Sequence, residues 1–299
     1  MTQQKAQTTS PQRSSSSPPP AMIRLRLDVA YDGTDFHGWA RQPGLRTVQA
    51  EIEQALATVL RLPQIPLATC AGRTDAGVHA TGQVVHVDIP TQSIDALVDA
   101  DVHHLARRLN RFLPDDLVIT GSIIAAAGFD ARFSALSRQY VYLIHDGQEP
   151  LSPLLRRTVL SYGHAVEVEL MQQAAQRVIG THDFAGFCRQ REGATTIRTI
   201  LTADWQRQSD GIARLELSAD AFCHSMVRSL VGAMLAVGEG RWSLERFTDQ
   251  LSAVDRAGIT VVRPHGLVLQ SVTYPPDNDL AARAEQTRAR RTINELRSP

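Results

Sequence analysis

Apolar and charged residues alternate along the segment MIRLRLDVAY, which begins at residue 22. Its apolar side chains, among them Leu25, Leu27 and Val29, fall on one face, so the pattern predicts a half-buried strand. The segment TVQAEIEQALATVL follows, with apolar residues at helical spacing and Thr47 at the position of an N-cap. The chain therefore opens with a predicted strand and a predicted helix.

The same kind of pattern continues through two structural repeats. A short strand at IPLATC, an alternating strand at QVVHVDI, a helix at HHLARRLNRFL and a strand at LVITGSII complete the order β-α-β-β-α-β. The second half repeats this order without repeating the sequence: RQYVYLIH, ELMQQAAQRVIG, a hairpin of TIRTILTADWQRQ and IARLELSAD around SDG, the apolar helix FCHSMVRSLVGAMLAVGEG, and LVLQSVTY. We therefore predict an α/β (α+β) protein of two ferredoxin-like subdomains whose sheets flank a central cleft. If the two sheets face one another, the gap between them is the natural place for a large ligand.

The boundary between the two subdomains is predicted near Gly128. Residues 1–21 form a Ser/Pro-rich arm that is expected to be disordered, and residues 22–127 form the N-terminal subdomain. Residues 128–275 form the C-terminal subdomain, and residues 276–299 an Arg-rich polar tail, expected to be frayed or partly helical. The arm lacks the apolar stretch of a signal peptide, and no run reaches transmembrane length, so we expect a cytoplasmic protein without a membrane partner.

The overall charge gives little sign of a nucleic-acid partner. The chain of 299 residues has 31 basic and 31 acidic residues, whereas a protein that binds nucleic acid through a generally basic surface would have a large positive excess. A bound polyanion would therefore have to meet a local basic patch. Lys5 is the sole lysine, and arginine suits bidentate phosphate contacts, but the codon bias of a GC-rich genome is the stronger explanation.

The three cysteines are Cys70, Cys188 and Cys223, which are far apart in the sequence and form no Cys-x-x-Cys pair. This spacing argues against a disulfide framework and against a structural zinc site. It fits a reducing cytoplasm.

The loop AGRTDAGVHA, residues 71–80, stands between two predicted strands and has two interpretations. Asp and Gly are ordinary turn residues, so a plain turn explains their presence. The alternative is that a shaped backbone presents a reactive carboxylate, Asp75, with Arg73 two residues before it.

Arg228 lies within the apolar segment FCHSMVRSLVGAMLAV. A helix that is apolar nearly all round is buried, and a buried guanidinium needs an anionic partner. The hypothesis is that Arg228 pairs with Asp75 and favours its charged form. A solvated surface arginine is the alternative.

Four stretches in sequence carry a resemblance to a known family. AGRTDAGVHA, read with YDGTDFHGWARQ before it and ARFSALSRQY and MVRSLVG after it, closely resembles the tRNA pseudouridine synthase A family. The likeness runs from about Ile23 to Tyr274. It implies an isomerase that converts uridine to pseudouridine at positions 38, 39 and 40 in the anticodon stem-loop of tRNA. It also implies an RNA-binding cleft, a homodimer that holds each tRNA with both subunits, and no metal and no organic cofactor.

The resemblance also implies roles for individual residues. The family's catalytic Asp falls on Asp75, and the Arg that helps displace the target base falls on Arg73. The Tyr that packs on the target uracil falls on Tyr140, which without the resemblance would be a core aromatic, and the Arg that pairs with the catalytic Asp falls on Arg228. The RNA-contacting segment maps to Asp130, Ala131, Arg132, Phe133 and Ser134.

The chain departs from the family pattern at three places. Where many relatives have Arg-His before Met-Val-Arg, it has His224 and Ser225, and Asp130 puts an acid where RNA phosphate is expected to approach. The segment CRQREGATTIR does not align without a gap. This leaves open the tRNA contacts of Arg189, Arg191 and Arg198.

Two other functions compete with the synthase. A metal-dependent hydrolase would use Asp75 and His79 as ligands, but the sequence offers no third ligand nearby, and a histidine bonded to the backbone is the favoured interpretation of His79. A non-catalytic tRNA-binding or tRNA-folding protein would keep its affinity for tRNA and make no product. Replacement of Asp75 separates this class from an enzyme.

Overall fold

The structure is a computed structural model that describes residues 21–95, 102–189 and 195–288. Most of the predicted arm, Arg191 and the tail beyond residue 288 lie outside the described residues.

Strands and helices follow one another in the predicted order in both halves of the chain. The first half contains β1 (Met22–Tyr31), α1 (Val48–Val59), β2 (Ala68–Cys70), β3 (His79–Pro90), α2 (Thr91–Asp95), α3 (Val102–Leu109) and β4 (Leu117–Ile124). The second half contains β5 (Ser137–His145), β6 (Leu160–Ser161), α4 (Val168–Gln176), β7 (Gly180–Asp183), β8 (Ile197–Arg207), β9 (Ala213–Ala219), α5 (Met226–Gly238), α6 (Leu244–Leu251), β10 (Leu267–Thr273) and α7 (Leu280–Arg288).

The strand pairing confirms the ferredoxin-like order. In the first half β1 pairs with β4 and β3, and β3 also pairs with β2, all antiparallel. In the second half β5 pairs with β10 and β9, and β9 also pairs with β8, again all antiparallel. Both halves therefore have the same arrangement of four principal strands.

The two halves meet edge to edge. β10 lies parallel to β3, with Val268 opposite His79 and Leu269 opposite Ala80, and this pairing joins all ten strands into one sheet. The reason is that β2 is short and pairs only with residues 85–87 of β3. The first residues of β3 are therefore open to pairing with another strand. The sheets of the two halves therefore join edge to edge and are not facing layers, and they flank the cleft that lies over their junction.

The apolar faces predicted from the pattern are buried. Leu25, Leu27 and Val29 of β1 have no exposed surface, as expected for the core side of a half-buried strand. Thr47 stands at the N-cap of α1, but its hydroxyl makes no capping hydrogen bond. The apolar helix of the second half is shorter than predicted, since α5 begins only at Met226.

The structure differs from the inference that the spacing of the cysteines argues against disulfides. Cys188 and Cys223 form a disulfide, with their Cα atoms 5.8 Å apart. A separation of 35 residues in the sequence does not limit their distance in the fold, because β8 and β9 form a hairpin that returns the chain. Cys70 is free and buried, and burial raises the pKa of its thiol to about 12. Within the described part of the chain, the helices are too short or too polar to cross a bilayer.

Candidate active site

The loop between β2 and β3 is a turn that presents Asp75. The backbone N–H of Val78 donates to the carbonyl of Asp75 at 3.1 Å, and Gly77 between them has a φ of +78°. A β-turn with a positive φ at its third residue favours glycine there. A β-carbon on Gly77 would also lie 2.7 Å from Cγ of Pro264, so the turn has no room for a side chain.

Two residues that precede Asp75 in the loop tie it to the surrounding elements. The Thr74 hydroxyl lies 2.8 Å from the hydroxyl of Tyr31, and the Thr74 carbonyl accepts the N–H of Trp39 at 3.0 Å. Further back, the Gln83 side chain donates to the carbonyl of Gly72 at 2.7 Å. These bonds hold the backbone that leads to Asp75.

The Asp75 carboxylate meets three side chains from the beginning of α5. Arg228 Nη1 donates to Oδ2 at 3.2 Å, Ser225 Oγ donates to the same oxygen at 3.3 Å, and His224 Nε2 lies 3.3 Å from Oδ1. Arg228 is fixed in turn, since its Nε donates to the carbonyl of Val262 at 2.7 Å. The predicted pairing of Arg228 with Asp75 is therefore present, and the carboxylate keeps 27% of its surface open to the cleft.

Asp75 lies in a cleft of ≈ 1030 Å³ that both halves of the chain line. It is the one acidic residue among the described residues of the lining. Seven lining residues are arginines: Arg73, Arg132, Arg138, Arg189, Arg198, Arg228 and Arg256. A chain of zero net charge thus concentrates positive charge in one place, which is the local patch that a polyanion would require.

Tyr140 lines the same cleft from β5. Its ring packs edge-on against Phe222, with the ring centroids 5.1 Å apart, and it is only 7% exposed. Burial raises the pKa of the Tyr140 phenol above its ordinary value, so the hydroxyl stays protonated at neutral pH. Tyr142, on the same strand face, differs because its hydroxyl donates to the Arg263 carbonyl at 2.6 Å.

The segment Asp130–Ser134, which the resemblance assigns to RNA contact, contains both exposed and buried residues. Arg132 is exposed and lines the cleft, whereas Ala131 and Ser134 have no exposed surface. Asp130 Oδ1 accepts the backbone N–H groups of both Arg132 and Phe133 at 2.9 Å. Of these side chains, only that of Arg132 faces the cleft where Asp75 lies.

The His79 side chain bonds to the backbone of neighbouring segments. Its Nδ1 accepts the N–H of Gly33 at 3.0 Å, and its Nε2 lies 2.9 Å from the carbonyl of Arg157. Both ring nitrogens are thus engaged, as the backbone-bonded interpretation expected, and neither is open to share a metal with Asp75. Among the residues that the structure describes, no group of three or more His, Cys, Asp or Glu side chains has the arrangement of a metal site.

Proteins with similar sequences identify the family of this chain. The sequence profile of a family described as tRNA pseudouridine synthase matches residues 174–275. A tRNA pseudouridine synthase A of Frankia casuarinae is 54% identical over 269 residues, which cover 90% of this chain and 95% of the relative. The chain belongs to the tRNA pseudouridine synthase A family. It is accordingly an isomerase.

Other members of the family are similar over the same length. A tRNA pseudouridine synthase A of Streptomyces griseus is 49% identical over 276 residues, which cover 92% of this chain and 96% of the relative. Among solved structures, an archaeal box H/ACA Nop10–Cbf5 complex aligns over 71% of this chain and 44% of that chain, with a TM-score of 0.31 and 13% identity. A likeness of that size carries no weight beside the sequence relatives.

One buried arginine of this synthase was not singled out from the sequence. Arg138 donates to the carbonyls of Ala71, Arg132 and Asp220 at 2.6 to 2.8 Å, and burial lowers the pKa of its guanidinium. It thereby joins the loop that carries Asp75 to the segment that carries Arg132. The available signal was its place two residues before Tyr140, on the same face of a strand.

Proposed function

We propose that this synthase converts uridine to pseudouridine at positions 38, 39 and 40 in the anticodon stem-loop of tRNA, with Asp75 as the catalytic carboxylate. The observation that carries the proposal is one carboxylate, oriented by Arg228 and Ser225, among seven arginines in the part of the cleft lining that the structure describes. Arginines suit the phosphates of an RNA stem-loop, and the carboxylate supplies a nucleophile or a base.

The target uridine has to leave its stack before it can react, at a cost of a few kcal/mol. Arg73 is exposed, lines the cleft and lies two residues from Asp75, so its planar head is suited to fill the vacated space. Tyr140 offers an aromatic surface for the extruded uracil.

The reaction itself breaks the bond between C1′ and N1 and joins C1′ to C5, while the proton on C5 is lost and N1 gains one. Electrons and atoms balance within the nucleotide, so no electron carrier is required. The family resemblance is the ground on which the proposal includes no metal and no organic cofactor. Asp75 starts it by attack on the nucleotide or by removal of a sugar proton, and both routes begin from the carboxylate. The protonated Tyr140 phenol is placed to relay the C5 proton once it is released.

The proposal includes a cytoplasmic homodimer that holds each tRNA with both subunits. Edge strand β4 supports a subunit contact, because Val118, Ile123 and Ile124 are 40%, 41% and 51% exposed on it. Light scattering of the purified protein should give twice the monomer mass.

The decisive experiment replaces Asp75 by Asn. Wild-type protein should form pseudouridine in tRNAs that carry a single uridine at position 38, 39 or 40, with EDTA present, as detected by carbodiimide primer extension. Asp75→Asn should lower this rate by about a thousandfold or more, because the reacting carboxylate is lost, with tRNA affinity retained.

Asp35→Asn is the matched control, since this carboxylate is 63% exposed and does not line the cleft. It should keep the wild-type rate. Tight tRNA binding by wild-type protein without any pseudouridine would contradict the proposal and favour a non-catalytic tRNA-binding or tRNA-folding protein.

A further inference from the structure

Helix α7 packs against the segment Asp130–Ser134. The Ser134 hydroxyl donates to the carbonyl of Leu280 at 3.0 Å, and Gly128 approaches Ala281 so closely that a β-carbon on it would lie 2.6 Å from the Ala281 side chain. Arg283 adds a weaker bond from its Nε to the Ala135 carbonyl at 3.4 Å. The helix belongs to the Arg-rich tail, beyond the part of the chain that carries the family resemblance.

Asp130 is the acid that departs from the family pattern in this segment, and its carboxylate is used on both oxygens. Oδ1 accepts the backbone N–H groups of Arg132 and Phe133 at 2.9 Å, which fixes the turn. Oδ2 accepts Arg288 Nη2 of α7 at 3.3 Å. The negative charge that would repel an RNA phosphate therefore has a cation of α7 beside it.

Arg288 is also in contact with the aromatic ring of the segment. Its guanidinium lies 5.1 Å from the Phe133 ring centroid, and that of Arg132 lies 5.0 Å from the same centroid. A second carboxylate, Glu285, accepts Arg288 Nη1 at 2.7 Å but is 77% exposed, so solvent screens it strongly. The cation therefore sits between Asp130 and the ring on which the cleft residue Arg132 also stacks.

We propose that Arg288 of α7 makes this segment fit for an RNA phosphate by neutralising Asp130, so that Arg132 presents its charge to the RNA backbone unopposed. The inference rests on the proposed function, since it takes the anticodon stem-loop as the ligand at the segment. Arg288 is a positioning residue for RNA, and α7 is part of the RNA-binding surface of this chain.

The test compares Arg288→Ala, Asp130→Asn and the double variant for tRNA affinity by filter binding over a range of salt concentrations. Arg288→Ala should weaken binding about three- to tenfold at low salt and flatten the slope of log affinity against log salt by up to about one. The loss should appear in KM rather than in kcat. The double variant should recover most of the affinity, because the introduced asparagine side chain retains an oxygen for the turn and carries no charge.

Arg246→Ala is the matched control, because Arg246 also stacks on an aromatic ring, that of Trp242, at 4.4 Å, but does not line the cleft. It should bind tRNA as wild type does. Wild-type affinity in folded Arg288→Ala, or an equal loss in Arg288→Ala and the double variant, would overturn the inference. Failure of the proposed function is separate, since it appears as tRNA binding without pseudouridine in the wild-type protein.

Discussion

Ser225 has an unusual backbone conformation for a residue with a side chain. Its φ of 61° is left-handed, and within the described residues only Arg61 shares this among non-glycine residues. The conformation costs roughly 1–2 kcal/mol, and such strain is typical of functional sites. In return the chain turns into α5 just before Arg228, and the Ser225 hydroxyl reaches Asp75.

Replacement of Ser225 separates the hydroxyl from the backbone. Ser225→Gly removes the bond to Asp75 but accommodates the positive φ, so pseudouridine formation should fall about tenfold while the free energy of unfolding holds or rises by up to about 1 kcal/mol. Ser225→Ala should lose similar activity and also lose stability. Single-turnover assays and urea unfolding measure the two effects. An undiminished rate in Ser225→Gly would show that the hydroxyl has no part in the reaction.

At the scale of elements, α5 depends on the segment that precedes β10. Val262 accepts Arg228 Nε through its carbonyl, and Pro264 closes over Gly77 in the catalytic turn. Gly232, one turn after Arg228, faces the same segment, and a β-carbon there would overlap the Thr260 carbonyl oxygen. This segment therefore positions both the guanidinium and the turn that carries its partner.

Gly232→Ala should be destabilising although alanine favours a helix by about 1 kcal/mol. The overlap with backbone outweighs that gain, and we expect a net loss of about 2 kcal/mol in the free energy of unfolding together with reduced pseudouridine formation. Gly163→Ala is the control, since no atom lies within 4 Å of the added carbon. Chemical denaturation of both variants measures the difference, and equal stability would contradict the described approach of Thr260.

Most elements and the central ion pair were predictable because they rest on local rules. Periodicity located the main strands and helices, and the cost of a buried guanidinium led from Arg228 to Asp75. The contacts of Ser225 and Arg138 were not predictable, since each depends on where a loop carbonyl or a distant carboxylate arrives. The same holds for the disulfide and for the β3–β10 pairing, which follow from the return of the chain in space.

At the scale of the whole molecule, ion pairs in both halves link stability to pH. Arg24 holds Asp88 with two bonds, of 2.7 and 2.6 Å, and these bonds lower the pKa of that carboxyl. Burial alone would raise the pKa of Asp146, but the bond and the charge of Arg207 at 2.8 Å, together with bonds from the Val166 N–H and the Gln148 side chain, lower it overall. A carboxyl whose pKa is lower in the folded state stabilises the fold when it is charged.

The contribution of these two carboxylates to the free energy of unfolding should therefore be steady above the unfolded pKa of about 3.9 and fall as the pH drops through the lower folded values. The unfolded chain binds protons first on acidification, which sets this sign. Urea unfolding at stepped pH measures the decline. Asp88→Asn should be less stable at neutral pH and lose less on acidification, and a parallel decline in this variant would assign the effect to other groups.

The proposed active site contains residues from distant parts of the chain. Asp75 belongs to the first half, whereas its holders His224, Ser225 and Arg228 lie in the second, and β10 joins the halves later still. During translation the carboxylate leaves the ribosome well before the arginine that holds it. While the chain grows, surrounded by tRNA and ribosomal RNA, Asp75 therefore lacks the side chains that hold it, and the proposed chemistry would begin only when synthesis has passed β10.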